Sequence, residues 1–309
     1  SSSFGGSVAG STMTEPAAIA RQRRPAAEPA TDVATARGPR QWPLHLIVSF
    51  GALLMIFPFI WMVLTSFKNM RQTLAVPPTF WPNPWVWTNI PESLTALPFG
   101  RAYFNSAYIV VVVVAVTLLT ASMAAYAFAR IDFPFARPLF ILFLATMMVP
   151  RQVTIIPLYI IMARIGWIDS HLSIIVPPAL LNAFAIFLLR QFILAIPIDL
   201  EEAAILDGAS RWTIYRTIIL PLLRPGLAAL AILTFLDTWN NFFTPLIFLN
   251  TPEKFTVPLL LNQFRSQFQI DYAHLMAGSA IAIVPVLIVY LIGQRSIIES
   301  VATSGLSGK

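Results

Sequence analysis

Six long apolar stretches govern what this 309-residue chain can fold into: 44–66, 103–129, 138–158, 172–193, 227–249 and 275–292. A helix of 23 residues is roughly 35 Å long, enough to cross a hydrocarbon layer of about 30 Å. Backbone groups inside lipid must pair within their own segment, so each stretch is predicted to be a membrane-spanning helix. Pro150, Arg151, Gln152 and Pro157 interrupt the third stretch. It is expected to end near Met148 and to continue as a short helix at the membrane surface. The fold class is therefore an all-α membrane protein with six transmembrane helices.

Composition agrees. Hydrophobic residues make up 57% of the chain and charged residues 11%, whereas soluble domains carry roughly a quarter charged residues. With no Cys, a disulfide framework and a thiolate metal site are both excluded. His45, His171 and His274 lie in separate segments without metal-ligand spacing, so no metal site is predicted. The formal net charge of +6 comes from basic residues between apolar stretches. That distribution fits basic cytoplasmic loops and not a nucleic-acid-binding face.

Residues 1–41 are rich in Ser, Gly, Ala, Pro and Arg and poor in large apolar residues. They are predicted to be a disordered cytoplasmic tail. The apolar run after them is long and lacks a small-residue cleavage site, so it is read as a span and not a signal peptide. With the N-terminus inside, 13 of the 20 Lys and Arg fall on cytoplasmic segments. This bias places both termini in the cytoplasm. The outer loop 67–102 carries Trp81, Trp85, Trp87 and four closely spaced prolines. It reads as a non-helical interfacial loop, since Pro interrupts helices and Trp favours the membrane–water boundary.

The most informative stretch is the loop 196–226 between the fourth and fifth spans. It is too polar to span and too patterned to be a plain linker. Asp199 is expected to cap a helix beginning near Leu200, with Glu201 and Glu202 in the favourable first turn. Leu200, Ala203, Ala204 and Leu206 keep one side small and apolar. Gly208 permits a sharp backbone turn. A second helix is expected from Ser210 to Ile219, stopped by Pro221. A bent helix pair of this kind fits a cleft on a cytoplasmic partner.

Glu202-Ala203-Ala204, then Gly208, Ile218 and Leu220-Pro221 reproduce the EAA signature of ABC-importer permeases at every spacing. Asn105-Ser106, the run from Tyr126 to Arg130, Met148-Val149-Pro150 and Trp239-Asn240-Asn241 resemble landmarks of the carbohydrate-uptake branch, the maltose and glycerol-phosphate type. The likeness is to its second permease subunit. It covers most of 103–295 and implies a type I importer permease domain over 42–295, followed by a cytoplasmic tail, 296–309. It implies a bacterial or archaeal cytoplasmic membrane, a second homologous permease, two ATPase subunits that bind ATP-Mg, and an extracellular solute-binding protein. It implies no cofactor in this chain. By this resemblance Glu202, Ala203, Ala204 and Gly208 form the helix that docks on the ATPase, with Glu201 and Asp207 flanking it. The tail matches the Gly-rich end of related chains only loosely and is assigned no contact.

Polar residues inside spans are costly and tend to face a bundle interior. Asp237, Asn240 and Asn241 are expected on one helical face as a pore lining or as an interhelical hydrogen-bond clamp. Asn105, Gln152, Asn182, Thr117 and Thr120 are further candidates. Arg151 reads as a snorkelling interfacial residue or a gate. Gly278-Ser279 is expected to allow close helix packing. No phosphate-binding GxxxxGK[ST] loop is present, so ATP hydrolysis must come from another subunit. No GxSxG or HExxH motif supports a membrane hydrolase. An ion-coupled carrier would be expected to bury ionisable groups in each half, and Asp237 is the one such acid legible in the spans.

Overall fold

The computed structural model describes residues 42–265 and 271–294, so the expected tails at 1–41 and 296–309 lie outside the described residues. Among the described residues the architecture is all helical, without strands. The chain divides into two units, Ser1–Leu53 and Leu54–Lys309. Of the first, the described part is the amino-terminal half of α1 (Trp42–Ser66), whose Ile47 and Phe50 are 70% and 71% exposed. Apolar exposure of that extent calls for lipid as the solvent.

In the second unit, the loop after α1 holds two short helices, α2 (Met70–Thr73) and α3 (Asn89–Ala96). The Pro-rich stretch between them is non-helical. Trp81, Trp85 and Trp87 are exposed. Next comes α4 (Phe99–Arg130), the longest helix among the described residues. It contains five consecutive valines, 110–114. β-Branched residues favour strands in water. In lipid an open strand leaves its backbone unpaired, so the helix wins.

Two apolar clusters line α4 in sequence. One gathers Phe99, Ile109 and Val113 with Trp239, Phe248 and Leu260. The other gathers Ala121, Ala125 and Tyr126 with Ile186, Leu189, Ile193, Ile214 and Leu223. Ala121 and Ala125, four apart, let the neighbouring helix approach closely. Thr117 is fully buried, and its hydroxyl has no hydrogen-bond partner among the described residues.

The third apolar stretch breaks as expected into α5 (Ala136–Thr146) and α6 (Arg151–Arg164), bent by 102°. The fourth consists of α7 (Leu172–Leu180) and α8 (Ala183–Leu194), which together form one apolar span, Leu172–Leu194. The loop helices are α9 (Asp199–Leu206) and α10 (Arg211–Ile214), followed by a π-turn, Tyr215–Ile219, and α11 (Leu220–Leu222). The fifth span is α12 (Arg224–Trp239), bent by 73° from Arg211–Leu222. After α13 (Phe243–Phe248) and α14 (Val257–Leu261), the last span begins as α15 (Tyr272–Ala282) and extends over Tyr272–Gln294. A Cβ on Gly278 would meet Leu261 Cδ2 at 2.7 Å and Phe99 Cζ at 3.0 Å, the close packing expected there. Among the described residues four helices are long and apolar enough to cross a membrane, and up to six spans result when each bent pair counts as one.

The fifth span departs from expectation. The apolar stretch 227–249 is not one helix: α12 stops at Trp239 and the chain turns helical again only at Phe243. The Asn241 side chain accepts the Thr244 N–H at 3.1 Å. Pro245 has no N–H to give the Asn241 carbonyl. A side chain that competes for backbone donors, next to a missing donor, ends one helix and starts another.

Candidate coupling segment and translocation surface

α8 ends at Leu194, and the chain passes Pro197 before α9 starts. Asp199 is the first residue of α9 and not its cap. Ile198 holds the cap position and makes no side-chain cap bond. The helix starts one residue early because the Ile198 carbonyl already accepts the N–H groups of Glu201 and Glu202, at 2.8 and 3.1 Å. Asp199, Glu201 and Glu202 all lie in the first turn, where the helix dipole favours acids.

Gly208 adopts φ +82°, and nothing lies within 4 Å of a Cβ built there. Backbone conformation, not space, demands glycine at this turn. Ser210 caps α10 by accepting the Thr213 N–H at 3.1 Å. Pro221 does not stop the second helix. The π-turn precedes it, Pro221 sits at the start of α11, and helical structure runs to Leu222. Proline is tolerated in a first turn, and widening the preceding turn accommodates its ring.

The two neighbouring acids of α9 face opposite ways. Glu202 is exposed together with Ala203, Asp207 and Gly208, while Ala204 is half-buried against the cluster of Ala121, Ala125 and Tyr126. Leu200, Ile205 and Leu206 are also exposed, Leu206 at 88%. Glu201, expected to flank the docking face, is instead 1% exposed. Its Oε1 accepts from Arg130 Nε at 2.6 Å, and its Oε2 lies 3.4 Å from the Tyr126 hydroxyl and 4.0 Å from Arg211 Nη1. Arg130 also donates to the carbonyls of Ile193 and Ile196. Glu201 is therefore committed inside the fold. The second arm of the loop is tied as well, by Tyr215 OH to Ser122 Oγ at 2.8 Å.

The polar residues read as a pathway lining separate into two groups. Arg151, Gln152, Asp237 and Asn240 are exposed. Arg151 Nη1 lies 3.1 Å from Asp237 Oδ2. Asp237 is thus neither buried nor alone. Asn240 is the C-cap of α12, its amide donating to the Leu236 carbonyl at 3.0 Å.

Asn105, Asn182 and Asn241 spend their side chains on the protein's own backbone. The Asn105 amide is buried and donates to the carbonyls of Glu253 and Phe255 at 2.9 and 3.0 Å. Asn182 caps α8 through the Ala185 N–H at 3.0 Å. Asn241 holds the start of α13 and lies off the helical face of Asp237. Each uses its amide on backbone groups that a break would otherwise leave unpaired. Thr120 likewise donates to carbonyls, of Val116 and Ala179. Among the described residues no cluster of three His, Asp or Glu could hold a metal ion.

Residues 117–301 match the family described as binding-protein-dependent transport system inner membrane component. The chain belongs to this family. The permease is 33% identical over 270 residues to the arabinooligosaccharides transport system permease protein AraQ of Halalkalibacterium halodurans, covering 86% of this chain and 96% of that one. It is 32% identical over 260 residues to the lactose transport system permease protein LacG of Rhizobium radiobacter, covering 84% and 94%. A solved bacterial ABC transporter chain, involved in import of the acidic polysaccharide alginate, superimposes with TM-score 0.73 at 23% identity. It covers 84% of the permease and 98% of that chain, a likeness of fold. The protein is a multi-pass membrane permease of an ABC importer.

Proposed function

We propose that the permease forms half of the translocation pathway for a sugar or sugar-like solute and couples it to separate ATPase subunits through the segment 196–226. The other half is a second homologous permease, and solute arrives on an extracellular binding protein. ATP-Mg is bound by two ATPase subunits, not by this chain. Both termini face the cytoplasm, as the basic-residue bias favours.

The outward face of α9 carries this reading. Leu200, Ile205 and Leu206 are exposed, with Glu202 beside them, on a segment too polar to enter lipid. An apolar patch edged by acid suits a cleft lined by apolar and basic side chains. On the pathway side, Asp237, Asn240, Gln152 and Arg151 are exposed polar groups on otherwise apolar helices, and polar groups in spans favour a water-filled interior over lipid. The relatives named for arabino-oligosaccharides and lactose support a saccharide as solute.

Uptake of radiolabelled arabino-oligosaccharides, lactose and diacetylchitobiose by cells with and without this chain tests the solute class. Loss of uptake of at least one saccharide on deletion supports it, and unchanged uptake of all three counts against these solutes. Coupling is tested with Gly208→Pro, expected to insert normally but to uncouple ATP hydrolysis from uptake. Normal uptake by that variant would overturn the coupling role.

A further inference from the structure

We infer that Arg130 is the positioning residue that fixes the coupling helix α9 to α4, and that Glu201 is its counterpart, not a contact to the ATPase. The inference rests on the coupling reading above and says how that segment is held.

α9 meets the rest of the chain through two bends. One is the turn at 195–198 and the other is centred on Gly208. Between these bends the first turn of α9 is anchored to another helix. The anchor is the last residue of α4. Its guanidinium donates through Nε to Glu201 Oε1 at 2.6 Å and through Nη2 to the Ile193 carbonyl at 2.9 Å and the Ile196 carbonyl. The side chains of Arg130 and Glu201 are 8% and 2% exposed. One planar fork thus joins three parts: the end of α4, the exit of α8 with the turn that follows it, and the first turn of α9. Only a guanidinium has donors arranged to do this at once.

The same helix holds the second arm through Ser122 and Tyr215. Far along α4, Asn105 and Ser106 bind the segment 253–257: Asn105 donates to two of its carbonyls, and the Ser106 hydroxyl accepts the Val257 N–H at 2.9 Å. A displacement of α9 therefore reaches α4 through hydrogen bonds at its inner end. α4 has polar ties to deliver it at the other.

The test uses the complete importer reconstituted in liposomes, with its purified binding protein as the probe. The readout is the fold-stimulation of ATP hydrolysis by binding protein, per assembled complex. Loss of folding lowers basal and stimulated rates together with the amount of complex, whereas loss of positioning lowers their ratio. Arg130→Gln and Glu201→Gln are each expected to bring the stimulated rate to within about twofold of the basal one. The double variant should fall no further, because the two residues act as one unit. Arg130→Lys keeps one charged contact but not all three and is expected to give an intermediate ratio. A wild-type ratio in assembled Arg130→Gln overturns the inference. Should that variant not assemble, Arg130→Lys decides: a lowered ratio supports the inference and a wild-type ratio overturns it. A parallel variant of the outward face, Glu202→Gln with Leu206→Ser, separates the two ideas. If it lowers the ratio while the Arg130 variants do not, only the positioning role fails. If it leaves the ratio untouched, the docking face itself is wrong.

Discussion

The guanidinium of Arg151, in the first turn of α6, stands 3.1 Å from the carboxylate of Asp237, in the last turn of α12. The pair spans two of the helices that are bent, one from each broken span. Its side chains are 71% and 55% exposed. In the water-filled pathway proposed above, an ion pair so exposed contributes about 0.2–1 kcal/mol, so its value to the fold is small. Asp237→Asn is therefore expected to leave thermal unfolding in detergent nearly unchanged while lowering saccharide uptake severalfold. Exchanging the charges, Arg151→Asp with Asp237→Arg, should recover part of the uptake if the attraction between the two groups matters. Uptake assays on membranes with matched amounts of assembled importer measure both.

Asn105 behaves in the opposite sense. Its amide satisfies the carbonyls of Glu253 and Phe255 inside the protein. Asn105→Leu leaves those acceptors without their donor, at a cost of about 1–3 kcal/mol. The expected result is a lower unfolding temperature and less importer in the membrane, with the relative preference among saccharides unchanged. A change in preference without a change in stability would instead mark Asn105 as a solute contact.

The contrast between Asp237 and Asn105 shows what sequence could reveal. Both stand out as polar residues in apolar runs. Whether such a residue faces a pathway or mends a break depends on where the helix stops, and hydropathy does not register that. At Asn241 a signal was present: Thr244 and Pro245 follow it, an acceptor side chain beside a missing donor. The α9 helix, its acidic first turn and the bend at Gly208 were legible, because each is set by local chemistry. The direction of Glu201 was not, because its partner Arg130 lies 71 residues earlier and two adjacent acids look alike in a pattern. The continuation through Pro221 was also hidden, since a π-turn leaves no mark in composition.

Asp169, in the loop between α6 and α7, gives a pH prediction. Burial pushes its carboxyl up. Hydrogen bonds from Lys254, the Thr251 hydroxyl and the N–H groups of Asn250 and Thr251 outweigh that and hold it well below the usual carboxylate range. A carboxyl whose pKa is lower in the folded state stabilises fully above its unfolded value, about 3.9, and that contribution is lost as pH falls towards the folded one. Wild type should therefore exceed Asp169→Asn in unfolding temperature by a constant margin from pH 7 down to about 5. The margin should shrink at more acid pH. A margin that vanished already near neutrality would mean that the loop is held by something other than this carboxylate.

Gly208 separates conformational from steric demand. A Cβ there touches nothing within 4 Å, yet φ is +82°. Gly208→Ala therefore creates no clash and costs roughly 1–2 kcal/mol through the left-handed backbone alone. Asn tolerates this region better than other residues with side chains, so Gly208→Asn should fall between glycine and alanine. Proline fixes φ near −65°, which the turn does not allow. If the bend sets the angle between α9 and α10 for docking, uptake per ATP hydrolysed should decline in the order Gly, Asn, Ala, Pro, with the amount of inserted protein unchanged. If crowding by the docked partner is what excludes side chains, Asn, the larger, should be worse than Ala. The relative rank of Asn and Ala, measured as saccharide transported per ATP in liposomes, decides between a backbone requirement and a contact requirement at this position.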